Sequence, residues 1–187
     1  MKLTPDLHVV GGGRLGFGLS GAMDCHVYLV NGGAELALVD TGLVLDGDFD
    51  KILDNIRDDG LDPKNIRKLI LTHYHCDHIG AAAEIQKRLD VEVIASKLAA
   101  SVIRNADEKA TALDVARAAG GYPEDYRLPP CPVDRELVEG DVVQVGSLAL
   151  QTWETPGHLQ ISLRFGKAHV TQAADTFRAL GVPPNLT

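Results

Sequence analysis

The sequence predicts a mixed α/β sandwich, because helices and strands alternate in its first half and strands dominate its second half. A helical pattern covers about residues 48–58, and a buried strand at residues 67–71 runs directly into a second helix, at about residues 79–89. From about residue 142 onward the pattern is mainly that of strands. The 187 residues, 45% of them hydrophobic, suffice for one compact core. We therefore expect a single domain over residues 1–187, with helices outside two packed sheets.

The individual elements follow from periodicity and from turn residues. Strands are predicted at residues 6–10, 25–30 and 35–39, with the glycines of residues 31–33 forming a hairpin turn between the last two. Phe49, Ile52 and Ile56 share one face of the first helix, which Gly60 and Pro63 end. The remaining expectations are a strand at 92–95, a helical stretch at 96–120, and strands at 142–145, 148–154, 161–165 and 168–171.

Composition excludes several function classes. The chain carries 18 basic and 26 acidic residues, a formal net charge of -8, which disfavours binding to nucleic acid or to an anionic membrane. Three cysteines without a C-x-x-C pair support neither a disulfide framework nor an all-cysteine zinc site. The first residues lack the apolar core of a signal peptide, and no later run is long enough to span a membrane. We therefore expect a cytoplasmic protein that acts on a small molecule.

A cluster of metal-ligand residues follows the strand at residues 67–71. His73, His75, Asp77 and His78 place four potential ligands within six residues, at the carboxyl end of a strand where α/β folds carry their chemistry. Alternate side chains of a short loop can turn inward, so two histidines could bind one metal while Asp77 and His78 face a neighbouring one. Imidazole and carboxylate suit zinc, and also iron or manganese. The competing interpretation is a polar loop whose histidines only cap a strand or helix.

The segment H-Y-H-C-D-H resembles the H-x-H-x-D-H signature of the metallo-β-lactamase superfamily. Three further segments follow in the order that this family shows. They are Asp40-Thr41-Gly42, Thr155-Pro156-Gly157-His158 and Ala174-Asp175-Thr176-Phe177. The resemblance covers about residues 25–177 and implies a four-layer αβ/βα sandwich.

The resemblance also implies a ligand set. His73, His75 and His158 would bind the first metal, Asp77 and His78 the second, and Asp175 would lie between them. Ala174 stands where the family usually has glycine. Asp40 would orient a ligand histidine, or would be only a turn residue. The implied cofactor is zinc, as one or two ions.

The resemblance is incomplete at the carboxyl end. No histidine follows Asp175, although the family usually supplies one there. We therefore expect the second half of the sandwich to be incomplete, the chain to be truncated, and the metal count to be closer to one than two. An uncovered apolar sheet face would favour a homo-oligomer.

The implied activity is hydrolysis of an ester, thioester, lactone or lactam by a metal-activated water, with Asp77 as the catalytic residue that orients the water or accepts its proton. One alternative is an oxidoreductase with a single iron, similar to the persulfide dioxygenases. Another is a metal-binding remnant without activity.

Two other features receive structural interpretations. Residues 11–16 match G-x-G-x-x-G, but a strand and not a helix is expected to follow, so we predict a glycine hairpin and no dinucleotide site. Cys76 lies inside the motif between inward-facing neighbours, and we expect it to be a bystander. His26 could contact the site or simply pack.

Overall fold

The computed structural model describes residues 1–14, 17–43, 45, 48–155 and 163–167. The strands are β1 (Lys2–Thr4), β2 (Leu7–Gly11), β3 (Val27–Asn31), β4 (Leu36–Val39), β5 (Ile66–Leu71), β6 (Glu92–Ser96), β7 (Arg135–Leu137), β8 (Val142–Val145), β9 (Leu148–Glu154) and β10 (Leu163–Lys167). The helices are α1 (Asp48–Asp58), α2 (Cys76–Ile79), α3 (Ala82–Leu89), α4 (Lys97–Asn105) and α5 (Leu113–Ala118), with a 3₁₀ turn at Pro63–Asn65.

The strands form two sheets. The first has seven strands in the order β1-β2-β3-β4-β5-β6-β7, antiparallel from β1 to β4 and parallel from β4 to β7. The second has three antiparallel strands in the order β10-β9-β8. Because β4 and β5 are parallel neighbours, their carboxyl ends meet at one edge of the larger sheet, where the motif residues begin.

The central strands of the larger sheet are buried on both faces, and successive residues of these strands point to opposite sides. Leu69 and Leu71 of β5 pack into the cluster that includes helices α1, α3 and α4, whereas Ile70 between them packs toward β8 and β9. Leu38 and Ala37 of β4 divide in the same way. This alternation follows from the two-residue period of a strand. The helices therefore cover one face, and the smaller sheet covers the other.

The predicted fold class is confirmed as an α/β sandwich. A helical layer, a seven-stranded sheet and a three-stranded sheet lie in that order, which are three of the four expected layers. Within the described residues, no helix is long and apolar enough to cross a membrane. The predicted strand at 168–171 lies outside the described residues.

The structure corrects two predicted helices. The helix predicted at 79–89 is two helices. The first of them, α2, starts at Cys76, so the second half of the metal-ligand motif is helical and not a loop. The stretch predicted at 96–120 is also two helices, separated by a turn in which Ala106 and Ala112 adopt positive φ. The Asp107 carboxylate accepts hydrogen bonds from backbone N–H groups of this turn, an alternative to helical pairing that propensity does not reveal.

Candidate metal centre

Asp40 is the anchor of the candidate site. It directly follows β4, its side chain is buried, and its backbone N–H extends the ladder by donating to the Ile70 carbonyl at 2.9 Å. The carboxylate accepts hydrogen bonds from Thr72 N at 2.8 Å, Thr72 Oγ1 at 2.7 Å and His78 Nδ1 at 2.8 Å. The Asp40 carboxylate thus holds Thr72, the residue before the motif, and His78, the last residue of the motif.

The hydrogen bond to Asp40 determines which nitrogen of His78 can bind a metal. A carboxylate accepts only, so Nδ1 of His78 carries a proton, and Nε2 is the nitrogen that can bind a metal. His78 Nε2 lies 3.6 Å from Asp77 Oδ2. Two ligands at ordinary zinc distances in a tetrahedral site lie about 3.4 Å apart, so this pair fits a shared divalent metal.

The protonation of His78 is also shifted by its surroundings. Burial disfavours the charged ring, but the Asp40 carboxylate and the Cys25 thiol outweigh it, and the pKa of His78 is raised well above its usual value. A cation at Nε2 would compete with that proton, as metals do at histidine sites.

His73 is oriented by a relay from the same carboxylate. Thr72 Oγ1 donates its proton to Asp40, so at 3.0 Å it can only accept from His73 Nδ1. Nε2 is therefore also the nitrogen of His73 that can bind a metal. The His73 ring lies 3.8 Å from the His78 ring and 5.0 Å from the His75 ring, measured between centroids. The structure therefore brings the three histidines of the motif together.

Backbone packing holds the motif helix against the turn after β4. The His78 carbonyl accepts hydrogen bonds from both Thr41 N and Thr41 Oγ1 at 2.9 Å. At Gly80 a Cβ atom would lie 2.7 Å from the Leu43 carbonyl oxygen, so only glycine permits this approach. The D-T-G turn and the motif are thus one packed unit.

Cys25 is a neighbour of the site that sequence reasoning did not single out. Its Sγ, an Asp40 carboxylate oxygen and a His78 ring nitrogen all lie within 4.8 Å of one another. Burial raises the pKa of the Cys25 thiol, and His78 partly opposes that shift. The predicted hairpin could have indicated this proximity. Tyr28 pairs with Val39, so the residues that precede β3 and those that follow β4 lie at the same end of the hairpin.

His26, whose role the sequence left open, lies between two aromatic rings. Its ring is 5.6 Å from Phe17 in an edge-on contact and 6.2 Å from Tyr28 in a stacked one. Burial lowers the pKa of His26, and the nearby His78 lowers it further. The segment before β3 therefore borders the candidate metal centre.

Cys76 is buried in the helix-side core, and its backbone N–H donates to the Thr111 carbonyl at 3.0 Å. Burial raises the pKa of its thiol. Its packing matches the expected bystander role. His158 and Asp175, the other two predicted ligands, lie outside the described residues.

Comparison with known proteins agrees with this geometry. A family model described as the metallo-β-lactamase superfamily matches residues 20–186. The chain belongs to this superfamily. Its members among the similar sequences include hydroxyacylglutathione hydrolases from Nitrobacter hamburgensis and from a Chelativorans species, each 31% identical. The alignments cover 60% and 75% of this chain but only 34% and 44% of those relatives.

Solved structures of the superfamily share the fold. A metallo-β-lactamase with a HARLDQ motif from Cronobacter sakazakii superposes with a TM-score of 0.68 at 25% identity, over 88% of this chain and 58% of that one. BJP-1, a subclass B3 metallo-β-lactamase of Bradyrhizobium japonicum, gives 0.61 at 28% identity, over 75% and 49%. The chain is therefore a superfamily member that spans about half of these metallo-β-lactamases and less than half of the matched hydroxyacylglutathione hydrolases.

Proposed function

We propose that this chain is a metal-dependent hydrolase of a thioester or ester, with zinc as its metal. The ligands would be His73, His75 and His158 at one position and Asp77 and His78 at the other, with Asp175 between them. The single observation that carries the proposal is the hydrogen bonding of Asp40, which orients His78 directly and His73 through Thr72. In both rings the hydrogen bond is made by Nδ1, so Nε2 is the nitrogen that would bind a metal, as at other metal sites where the second ring nitrogen of the histidine is hydrogen-bonded.

The choice of a thioester is supported by the relatives. Those named hydroxyacylglutathione hydrolase act, by that name, on a thioester, and two of them are 31% identical to this chain. The metallo-β-lactamases among the solved structures are more distant in sequence, at 25% and 28% identity. The net charge of -8 also favours a small-molecule substrate over nucleic acid. A cytoplasmic location and self-association through an apolar sheet face are further proposals.

The metal and the motif residues would have different roles in the hydrolysis. A bound metal would supply Lewis acidity and would lower the pKa of water. Asp77 is the carboxylate of the motif, and 39% of its side chain is exposed. It can orient a water or accept its proton, while the buried His73 and the Asp40-bound His78 keep the ligand geometry fixed. Cys76, packed in the core, takes no part.

Metal analysis with a substrate panel tests the proposal. Purified protein should contain zinc and should hydrolyse thioesters faster than β-lactams. The variant His73→Ala/His75→Ala should lose the metal and the activity, because it removes two ligands of one position. Glu124→Ala/Asp125→Ala, which changes two exposed residues, should retain both. Unchanged metal content in the histidine variant would refute the ligand assignment, and iron with oxygen uptake would favour the oxidoreductase.

A further inference from the structure

A thiol, a carboxylate and an imidazole meet beside the metal-ligand motif. The Sγ of Cys25, a carboxylate oxygen of Asp40 and a ring nitrogen of His78 all lie within 4.8 Å of one another. Asp77 joins this group through the same histidine, since its Oδ2 lies 3.6 Å from His78 Nε2. Cysteine, histidine and aspartate are side chains that bind zinc in proteins. The metal position proposed for Asp77 and His78 therefore has a sulfur atom beside it.

The fold holds Cys25 in this place. Asp24, directly before it, accepts a hydrogen bond from Leu43 N at 2.8 Å, which joins the segment before β3 to the turn after β4. Asp40 lies at the start of that turn. Strand β3 begins two residues after Cys25 and pairs with both β2 and β4. The backbone on each side of the thiol is thus fixed relative to Asp40 and, through it, to His78.

The side chain of Cys25 is free to adjust within this frame. Its thiol makes a weak hydrogen bond to the carbonyl oxygen of the next residue, His26, at 3.5 Å. Bonds of about 2.3 Å to sulfur and about 2.0 Å to nitrogen place two ligand atoms of a tetrahedral zinc about 3.6 Å apart. Rotation about the single side-chain torsion of cysteine moves Sγ without moving the backbone. Cys25 can therefore approach a cation at His78 without a change of fold.

We propose that Cys25 is a metal ligand of this chain and binds, as its thiolate, the cation that Asp77 and His78 hold. The inference rests on the metal site of the proposed function and adds a third ligand to one of its positions. The cation replaces the thiol proton, which passes to solvent. His78 keeps its Nδ1 hydrogen bond to Asp40 and uses Nε2 for the metal.

A sulfur ligand determines which metals this position prefers. Thiolate is a soft ligand that favours zinc, whereas manganese favours carboxylate and water. Zinc should therefore displace manganese from the full chain in competition experiments. The preference for zinc should be weaker in Cys25→Ser, and an unchanged preference in that variant would contradict the proposal.

X-ray absorption by the zinc-loaded full chain tests the proposal without any substitution. The spectrum should contain a sulfur neighbour at about 2.3 Å from zinc, in addition to nitrogen and oxygen neighbours at about 2.0–2.1 Å. The protein has to be purified without thiol reductants, because these would themselves supply sulfur ligands. A coordination shell of nitrogen and oxygen alone would overturn the proposal.

The three cysteines of the chain provide matched variants. Cobalt-loaded protein should show a near-ultraviolet charge-transfer band from thiolate to cobalt. Cys25→Ser should lose this band, and its zinc affinity should fall about 100-fold, because a lost ligand costs at least as much as a lost outer partner. Cys76→Ser and Cys131→Ser, which change buried residues, should keep both the band and the affinity. A band that persists in Cys25→Ser, or that disappears in Cys76→Ser, assigns the sulfur elsewhere and refutes the proposal.

These measurements also separate the sulfur ligand from the proposed hydrolase function. A zinc-bound sulfur in a chain that hydrolyses no thioester would leave Cys25 as a ligand and refute the hydrolase. Thioester hydrolysis by a zinc centre without sulfur would refute the ligand and leave the hydrolase standing. A chain that takes up no zinc would refute both.

Discussion

Asp40 and Asp24 are both buried, and each carboxylate accepts three hydrogen bonds, yet they stabilise different parts of the molecule. Asp40 binds a threonine and a histidine of the metal-ligand motif, and two of its three donors are side-chain groups. Asp24 binds two backbone N–H groups and a serine hydroxyl, and in the described part of the chain it has no hydrogen bond to a candidate ligand. The first therefore connects the fold to the candidate ligand histidines, whereas the second joins the segment before β3 to the turn after β4.

The comparison shows that burial and full hydrogen bonding do not identify a functional residue. A satisfied buried carboxylate stabilises whatever its donors belong to. The donors are therefore the informative feature: side chains with metal-binding atoms in one case, and mostly backbone in the other. Substitutions that remove the charge but keep the shape should separate the two roles.

The largest effect is expected for Asp40→Asn. Its Oδ2 faces two donors, Thr72 Oγ1 and His78 Nδ1, and an amide cannot accept from both without presenting its own N–H₂ to another donor. The backbone should tolerate the change, because φ at Asp40 is 61° and asparagine is among the residues that adopt this region. Metal affinity, measured by chelator competition, should fall about 10- to 100-fold.

A matched control for this prediction is Asp125→Asn, an exposed position, which should leave metal affinity unchanged. Retention of full affinity in Asp40→Asn would mean that this aspartate is only a turn residue.

A smaller effect on the metal, but a clear effect on folding, is expected for Asp24→Asn. The amide loses one acceptor position, and a backbone N–H of Gly21 or Leu43 is left without its partner. Chemical denaturation should show a loss of about 1–3 kcal/mol in the free energy of unfolding. Metal affinity should stay within about threefold of the original protein. A metal loss as large as that of Asp40→Asn would erase the distinction between the two carboxylates.

The smallest effect on the metal is expected for Cys76→Ser, inside the motif itself. Cys76 packs in the helix-side core and its thiol lies near Tyr122, so the change costs some packing but removes no ligand. Elemental analysis should give the same metal content, and any hydrolysis should stay within about threefold. Loss of the metal in this variant would mean that the Cys76 sulfur is itself a metal ligand.

The sequence predicted the elements whose signals are local. The helix predicted at about residues 48–58 is confirmed as α1, since its apolar side chains recur with the helical period and glycine and proline follow it. Strands β8 and β9 were equally well predicted from their alternation. The start of α2 was not, because a four-residue helix has too few turns to show a period and begins where the Cys76 N–H meets the Thr111 carbonyl, far along the chain.

The sequence by itself determined the superfamily and the candidate ligands of the motif, because adjacent ligand types at fixed spacing are a local pattern. Only the tertiary structure decided which carboxylates support them. The parallel pairing of β4 with β5 brings Asp40 to Thr72 and His78, residues more than thirty positions away. The register of β3 on β4 brings Cys25 to the same place, and a hydrogen bond from Leu43 N to Asp24 joins the segment before β3 to the turn after β4. Such contacts join distant segments, and no periodicity or spacing within one segment encodes them.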